Sequence, residues 1–170
     1  MPSQPPADSL RIARSPTGRG YQLKASQFLP YPRPKVFEFF SDALNLQAIT
    51  PKWLNFVVLT PSPIQIAADA LIDYRLRVRG VPIRWQSRIS TWEPSVRFVD
   101  EQIRGPYRRW HHEHVFDEVP GGTMCHDIVD YEVYGGPIVN WMFVERDLVK
   151  IFAFRQSKLA TLLSGRQSPA

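Results

Sequence analysis

The clearest strand signal in this chain lies at residues 72–79, which read IDYRLRVR. Apolar side chains at the even positions alternate with charged side chains at the odd ones, a period typical of a half-buried antiparallel strand. A Gly-Val-Pro turn follows at 80–82, and residues 83–89, IRWQSRI, continue the alternation. The whole stretch therefore predicts a β-hairpin with one face in a core and one face rich in arginine.

Proline and glycine divide the rest of the chain into further elements. Upstream, the pattern predicts a strand at 21–29, short helices at 34–40 and 43–49, and a short strand at 56–59. Downstream, it predicts strands at 96–104, 107–117 and 123–133, and then a long amphipathic helix that ends near Leu163.

This order of elements predicts an α+β fold. The seven strands share one apolar face, and the long C-terminal helix is the element able to cover it. We therefore expect a seven-stranded curved antiparallel sheet wrapped around that helix, with two short helices after strand one. A sheet bent around a helix leaves internal volume, so we also expect a cavity.

The domain organisation follows from length and composition. A chain of 170 residues is the size of one domain, which we place at 21–164. Residues 1–20 are rich in Pro and Ser and are predicted to be a disordered leader, and 165–170 to be a tail. The lone Cys125, the absence of a signal-like apolar run and the absence of a membrane-length helix predict a cytoplasmic protein.

Several motifs resemble a known family. They are Ile49-Thr50-Pro51, GVPIRW at 80–85, FVDEQIRGPY at 98–107, WHHEHVF at 110–116 and TMCHDIVDY at 123–131. As a set they resemble the START-like SRPBCC superfamily, in its polyketide cyclase or dehydrase-like branch, over about residues 21–163. The resemblance implies a helix-grip fold, but members of this superfamily include lipid carriers, receptors and cyclases, so it does not select one activity.

Three neighbouring strands carry polar side chains on their predicted inner face. Strand parity puts Asp100, His112, His114 and Asp127 on the same side as apolar neighbours. One allowed register sets Asp100 opposite His112, and His112 opposite or diagonal to Asp127. This cluster is either a structural hydrogen-bond network or a polar floor that orients one end of a ligand.

The candidate site follows from this face. We predict His112 and Asp127 as a catalytic pair if the protein is an enzyme. The predicted ligand-binding residues are Asp100, Gln102, Trp110, His112, His114, Asp127, Tyr131, Tyr74, Leu76, Trp85, Leu148 and Phe152. The spacing of His112 and His114 also permits a metal site with Asp100 or Asp127, but we expect no metal and no cofactor. Arg155, near the apolar stripe of the long helix, could meet an acidic group of a ligand, but we expect its stem to be buried and its charged head to extend to solvent.

Three functions remain open at this point. The first is a carrier or sensor that binds a small hydrophobic or aromatic ligand, such as a lipid- or polyketide-like metabolite, in the cavity. The second is a cyclase- or dehydratase-like enzyme that uses the His/Asp pair as acid and base. The third is a basic surface, formed by Arg75, Arg77, Arg79, Arg84 and Arg88, that binds nucleic acid or an anionic membrane. Nucleic acid is the least expected partner, and we expect a monomer or weak homodimer.

Overall fold

A curved antiparallel sheet forms the framework of the protein in a computed structural model that describes residues 7–164. Its strands are β1 Ser9–Arg14, β2 Tyr21–Leu29, β3 Val57–Val58, β4 Leu71–Val78, β5 Val81–Glu93, β6 Arg97–Arg104, β7 Tyr107–Val119 and β8 Gly122–Val133. Their spatial order is β1-β2-β8-β7-β6-β5-β4-β3. Strands β4 to β8 form a meander, and β2 pairs with the last strand.

The helices lie between β2 and β3 and after β8. The first group is α1 Arg33–Phe40, α2 Ala43–Ala48 and a 3₁₀ turn at Lys52–Leu54. The C-terminal run begins with α3 Gly136–Val139, passes through a π-helical turn at Asn140–Val144, and ends with α4 Glu145–Ser164. The predicted long helix is therefore confirmed, although its first part is not regular α-helix.

Two local features explain where helices begin. Pro34 stands in the first turn of α1, where its missing N–H has no intrahelical partner to lose. The Asp42 carboxylate accepts the backbone N–H of Leu44 at 2.9 Å and so caps α2. At the start of α3, Gly135 has a φ of 85°, a left-handed conformation that allows the sharp turn out of β8.

The predicted strand count was wrong by one. Within the described residues the sheet has eight strands, because Ser9–Arg14 pairs with β2 along its whole length, from Ser9 opposite Ser26 to Arg14 opposite Tyr21. The prediction of disorder for 1–20 is therefore wrong for this segment. Residues 1–6 and the predicted tail at 165–170 lie outside the described residues, and the domain bounds 21–164 stay a prediction.

Two apolar clusters fill the space between sheet and helices. The larger one joins α1 to the far end of the sheet and to the end of α4, and includes Phe37, Phe98, Phe116 and Leu159. The smaller one packs β2 and β8 against the first half of α4, around Leu148. Both lie on the concave face, which leaves the outer face to charged side chains. Within residues 7–164 no helix is both long enough and apolar enough to span a bilayer.

Candidate functional site

A cavity of about 310 Å³ lies between the concave face of the sheet, the short helices and α4. Most of its wall is apolar, with Phe39 and Leu46 from the short helices and Ile151 from α4 among its residues. At one end the wall includes Tyr134, a surface residue that is 63% exposed, so the cavity reaches the surface there, and it approaches the surface again near Asp42, an exposed residue that also lines the wall. The volume and lining are typical of a small-molecule site.

Most of the predicted ligand-binding residues line this cavity. The residues on its wall are Tyr74, Leu76, Trp85, Asp100, Trp110, His112, His114, Leu148 and Phe152. They come from four neighbouring strands, β4 to β7, and from α4. The strand parity read from the sequence therefore selected the correct face, while their role in binding stays a prediction.

Three predicted residues do not line the cavity. The Gln102 side chain turns back to the next strand, where its Nε2 donates to the Tyr107 carbonyl oxygen at 2.8 Å. Tyr131 is 1% exposed and packs in the smaller apolar cluster. Asp127 lies behind the wall, where it contacts the imidazoles that do face the cavity. Parity fixes the face of a strand, but α4 covers part of that face.

The predicted register is confirmed. Asp100 on β6 lies directly opposite His112 on β7, and His114 lies directly opposite Asp127 on β8. His112 is therefore diagonal to Asp127, as the sequence permitted. We call Asp100, His112, His114, Asp127 and Arg155 the polar cluster.

Two imidazoles and two carboxylates alternate in the polar cluster. His112 Nε2 lies 2.7 Å from Asp127 Oδ1, and His112 Nδ1 lies 3.4 Å from Asp100 Oδ2. His114 Nε2 is hydrogen-bonded to Asp100 Oδ2 at 3.2 Å. His114 Nδ1 is 3.1 Å from Asp127 Oδ1 but is not oriented for a hydrogen bond, so that contact is electrostatic. The side chains of His112 and His114 are 5% and 8% exposed, which makes these contacts strong.

Arg155 completes the polar cluster and corrects a prediction. Its guanidinium does not reach solvent: the residue is 8% exposed, and Nη1 lies 3.4 Å from Asp127 Oδ1. The guanidinium carbon also lies 4.8 Å from the centre of the Phe152 ring, which is a cation–π contact. Arg155 therefore supplies a buried positive charge beside the two carboxylates.

Both carboxylates are held in the ionised form. Burial by itself raises the pKa of Asp127, but its contacts with His112, His114 and Arg155 outweigh burial and hold this pKa well below the ordinary value. Burial also acts to raise the pKa of Asp100, but its contacts with His112 and with His114, which is hydrogen-bonded to it, lower this pKa overall. At neutral pH the polar cluster thus contains two negative charges.

The two histidines differ in the direction of their pKa shift although they are neighbours on one strand. Burial, followed by repulsion from His114, lowers the pKa of His112 to about 4, so His112 is neutral at pH 7. Burial also opposes charge on His114, but its contacts with Asp100 and Asp127 outweigh it and raise the pKa. The polar cluster thus combines two carboxylates with the positive charge of Arg155 and with an imidazole, that of His114, which binds a proton more readily than usual.

This protonation pattern determines what the cluster offers a ligand. The short contact with Asp127 assigns the His112 proton to Nε2, which leaves a lone pair on Nδ1 near the Asp100 carboxylate. Both residues line the cavity, so two hydrogen-bond acceptors meet at its wall. Ligand atoms of Asp100, His112 and His114 also lie within 4.8 Å of one another, the arrangement that the metal hypothesis requires. Each imidazole already contacts both carboxylates, however, and Arg155 supplies a positive charge beside Asp127.

The family described as polyketide cyclase / dehydrase and lipid transport matches residues 29–150, most of the chain. The chain belongs to this family. No curated protein matches the chain. Membership confirms the resemblance that the motifs indicated.

Solved structures confirm the helix-grip fold. Protein Ms6760 from Mycobacterium smegmatis is similar with a TM-score of 0.64 and 13% identity, over 85% of this chain and 91% of that one. Protein CV1439 from Chromobacterium violaceum gives a TM-score of 0.66 and 14% identity, over 83% and 95%. The protein TTHA0849 from Thermus thermophilus gives a TM-score of 0.57 and 21% identity, over 85% of this chain and 92% of that one. At these identities the likeness concerns the fold alone.

Two residues of the site were not among the predicted ones. Ser87 is buried beside Asp100, with 3.5 Å between Ser87 Oγ and Asp100 Oδ1, and it accepts the indole N–H of Trp85 at 3.0 Å. Its position on the predicted inner face was a usable signal. Arg155 follows Leu148 and Phe152 at helical spacing, which places it on the cavity side of α4.

Proposed function

We propose that this protein binds a small hydrophobic or aromatic molecule in its internal cavity, as a carrier or sensor, with one polar group of the molecule at the polar cluster. The observation that carries the proposal is the combination of an apolar cavity of about 310 Å³ with buried hydrogen-bonding groups on one wall. Membership of a family described by polyketide chemistry and lipid transport supports the same ligand class. A cytoplasmic location remains part of this proposal.

The chemistry of the wall narrows the ligand to one that donates a hydrogen bond. The Asp100 carboxylate and the lone pair of His112 Nδ1 are neighbouring acceptors, 3.4 Å apart. A phenolic or alcoholic hydroxyl that faces them can donate its one proton to either acceptor, whereas a group that only accepts would be repelled. The rest of the molecule would contact aromatic and aliphatic side chains.

Native mass spectrometry of the protein purified from its own host tests this proposal. We expect about one small molecule per chain in the wild type. Leu148→Trp should abolish the bound mass, because Leu148 is 2% exposed and lines the cavity, so a larger ring fills it. Val149→Trp is a matched control, because the next residue of the same helix is 40% exposed. Wild-type protein without any bound small molecule, or equal loads in both variants, would contradict the proposal.

The enzyme hypothesis is the second candidate, and one observation favours it. His112 is a neutral imidazole at pH 7 and is held by Asp127 at 2.7 Å, an arrangement found in general bases. If the cavity supports turnover, the molecule released from the purified protein should be converted to a species of different mass by wild type and left unchanged by His112→Phe. Recovery of the unchanged molecule after incubation with wild type would favour the carrier or sensor.

The third hypothesis has less support. Arg75, Arg77, Arg84 and Arg88 lie on the outer face of the hairpin, but Arg88 is paired with Glu101 at 3.1 Å. Arg79 does not belong to this face. It lies in the β4–β5 turn, where its guanidinium donates two hydrogen bonds to Asp147 on α4, at 3.0 and 3.1 Å.

A further inference from the structure

The end of the sheet at which the cavity reaches the surface exposes large apolar side chains. The β4–β5 turn, the end of β8 and the α3–π segment meet there. We call their exposed residues the mouth rim, which consists of Val81, Tyr134, Ile138, Trp141, Met142 and Phe143. The π-helical turn places three of them in succession, and Ile138 and Trp141 are 70% and 65% exposed. A concentration of large exposed apolar side chains at one end of a fold indicates an interaction site.

Arginine side chains accompany the aromatic rings of the mouth rim. The guanidinium carbon of Arg79 lies 4.8 Å from the centre of the Phe143 ring, and that of Arg146 lies 5.8 Å from the centre of a Trp141 ring. The guanidinium carbon of Arg108 lies 5.9 Å from the centre of the Tyr134 ring. Among the described residues, Arg108 and Arg146 have no carboxylate within ion-pair distance. The rim therefore combines exposed aromatic rings with unneutralised positive charge.

The cavity is continuous with this surface. Tyr134 belongs both to the mouth rim and to the cavity wall, and Val139 and Val144 of the adjoining helical segment line the cavity as well. An apolar molecule that leaves the cavity at this end meets the exposed rings first. The partner at the rim should therefore be one that accepts or supplies such a molecule.

We propose that the mouth rim docks on the surface of an anionic lipid bilayer. Aromatic rings favour the membrane–water interface, and arginines above them attract anionic headgroups while their stems remain in apolar surroundings. The net charge of +5 acts in the same direction. Docking is independent of the polar cluster and goes beyond ligand binding, because it concerns the outside of the cavity.

Co-sedimentation of the full-length protein with vesicles tests the docking surface. We expect binding to phosphatidylcholine vesicles that contain about 30% phosphatidylglycerol at low salt, much weaker binding to pure phosphatidylcholine, and loss of binding at high salt. Replacing both Ile138 and Trp141 by Ser should weaken binding about tenfold, because two exposed side chains no longer enter the interface. Val96→Ser, an exposed apolar residue in the β5–β6 turn at the other end of the sheet, should bind like wild type.

A charge-matched pair separates the rim from the outer arginines. Arg146→Ser should weaken binding to anionic vesicles about fivefold, the effect of one basic residue near such a surface. Arg75→Ser removes the same charge from the outer face of β4 and should have no effect. Wild-type protein that stays in the supernatant with anionic vesicles, rim variants that bind like wild type, or an equal loss in Arg75→Ser would overturn the proposal.

Ligand binding in the absence of vesicles keeps the two proposals apart. The rim variants should bind an apolar dye in solution as wild type does, because the cavity wall around Leu148 is unchanged. Docking without dye binding would leave the rim proposal standing and contradict the proposed function. Dye binding without docking would leave the proposed function standing and contradict the rim proposal.

Discussion

His112 should make the stability of the protein depend on pH in a specific way. In the unfolded chain the pKa of this histidine has its ordinary value of 6.5, whereas burial lowers it to about 4 in the folded protein. Between these values the unfolded chain binds a proton that the folded protein does not bind. The contribution of His112 is therefore present above pH 6.5 and is lost as the pH falls.

The size of the effect follows from the two pKa values. Proton linkage gives a loss of about 2 kcal/mol in the free energy of unfolding between pH 7 and pH 5. His114 acts in the opposite sense: its pKa is raised, so its contribution is complete below pH 6.5 and is lost as the pH rises through the folded value. Only a comparison with a variant therefore isolates His112.

The variant is His112→Asn, which keeps a neutral donor toward Asp127. Urea unfolding followed by tryptophan fluorescence at pH 7 and pH 5 should give a loss for wild type that exceeds the loss for His112→Asn by about 2 kcal/mol. His126→Asn, which removes an imidazole from the outer face of β8, should retain the wild-type loss. An equal loss in wild type and His112→Asn would refute a buried, neutral His112.

Three further predictions concern the site and the sheet. His112→Phe should keep the fold, because the phenyl ring refills the volume, but it removes a hydrogen-bond acceptor. Calorimetry should therefore show that the preference of the cavity for 1-naphthol over 1-methoxynaphthalene falls by about tenfold. An unchanged preference would contradict a ligand that donates a hydrogen bond to this wall. Arg155→Met should lower the free energy of unfolding by about 3 kcal/mol, since it removes the guanidinium charge that helps to hold the buried Asp127 carboxylate, while Arg77→Met on the outer face should change it little; similar losses would contradict the buried ion pair. Gly20→Ala should lower the free energy of unfolding more than Gly18→Ala does. Both glycines have a positive φ, but only a Cβ at Gly20 would overlap the Tyr131 carbonyl oxygen. Equal losses in the two variants would argue against the close approach of the β1–β2 turn to β8.

The sequence predicted the centre of the site well because its determinants are local. Alternation fixes which side chains of a strand share a face, and the short connection at Gly105-Pro106 makes β6 and β7 neighbours. Matching the inner faces allowed a register with His112 opposite Asp100, which is the one observed. The same rules do not say how much of the inner face α4 covers, which is why Tyr131 was assigned to the cavity.

The remaining differences arise from tertiary contacts. Strand β1 is a short segment in which Leu10 and Ile12 alternate with polar residues, and it forms because it pairs with the backbone of β2 at the sheet edge and because these two side chains pack on the smaller apolar cluster. The burial of Arg155 depends on Asp127, which belongs to a strand that is distant in sequence. Propensity and periodicity are local properties of the sequence, so they do not indicate that β1 pairs with β2 or that Arg155 contacts Asp127.

Fluorescence titration with N-phenyl-1-naphthylamine, an uncharged apolar dye, tests the central claim most directly. We expect saturable binding of about one dye per chain to wild type. Leu76→Trp, which fills the cavity from β4, should abolish binding, whereas Leu71→Trp, an exposed position on the same strand, should leave it intact. The absence of saturable binding to wild type, or undiminished binding to a folded Leu76→Trp variant, would contradict an internal ligand site.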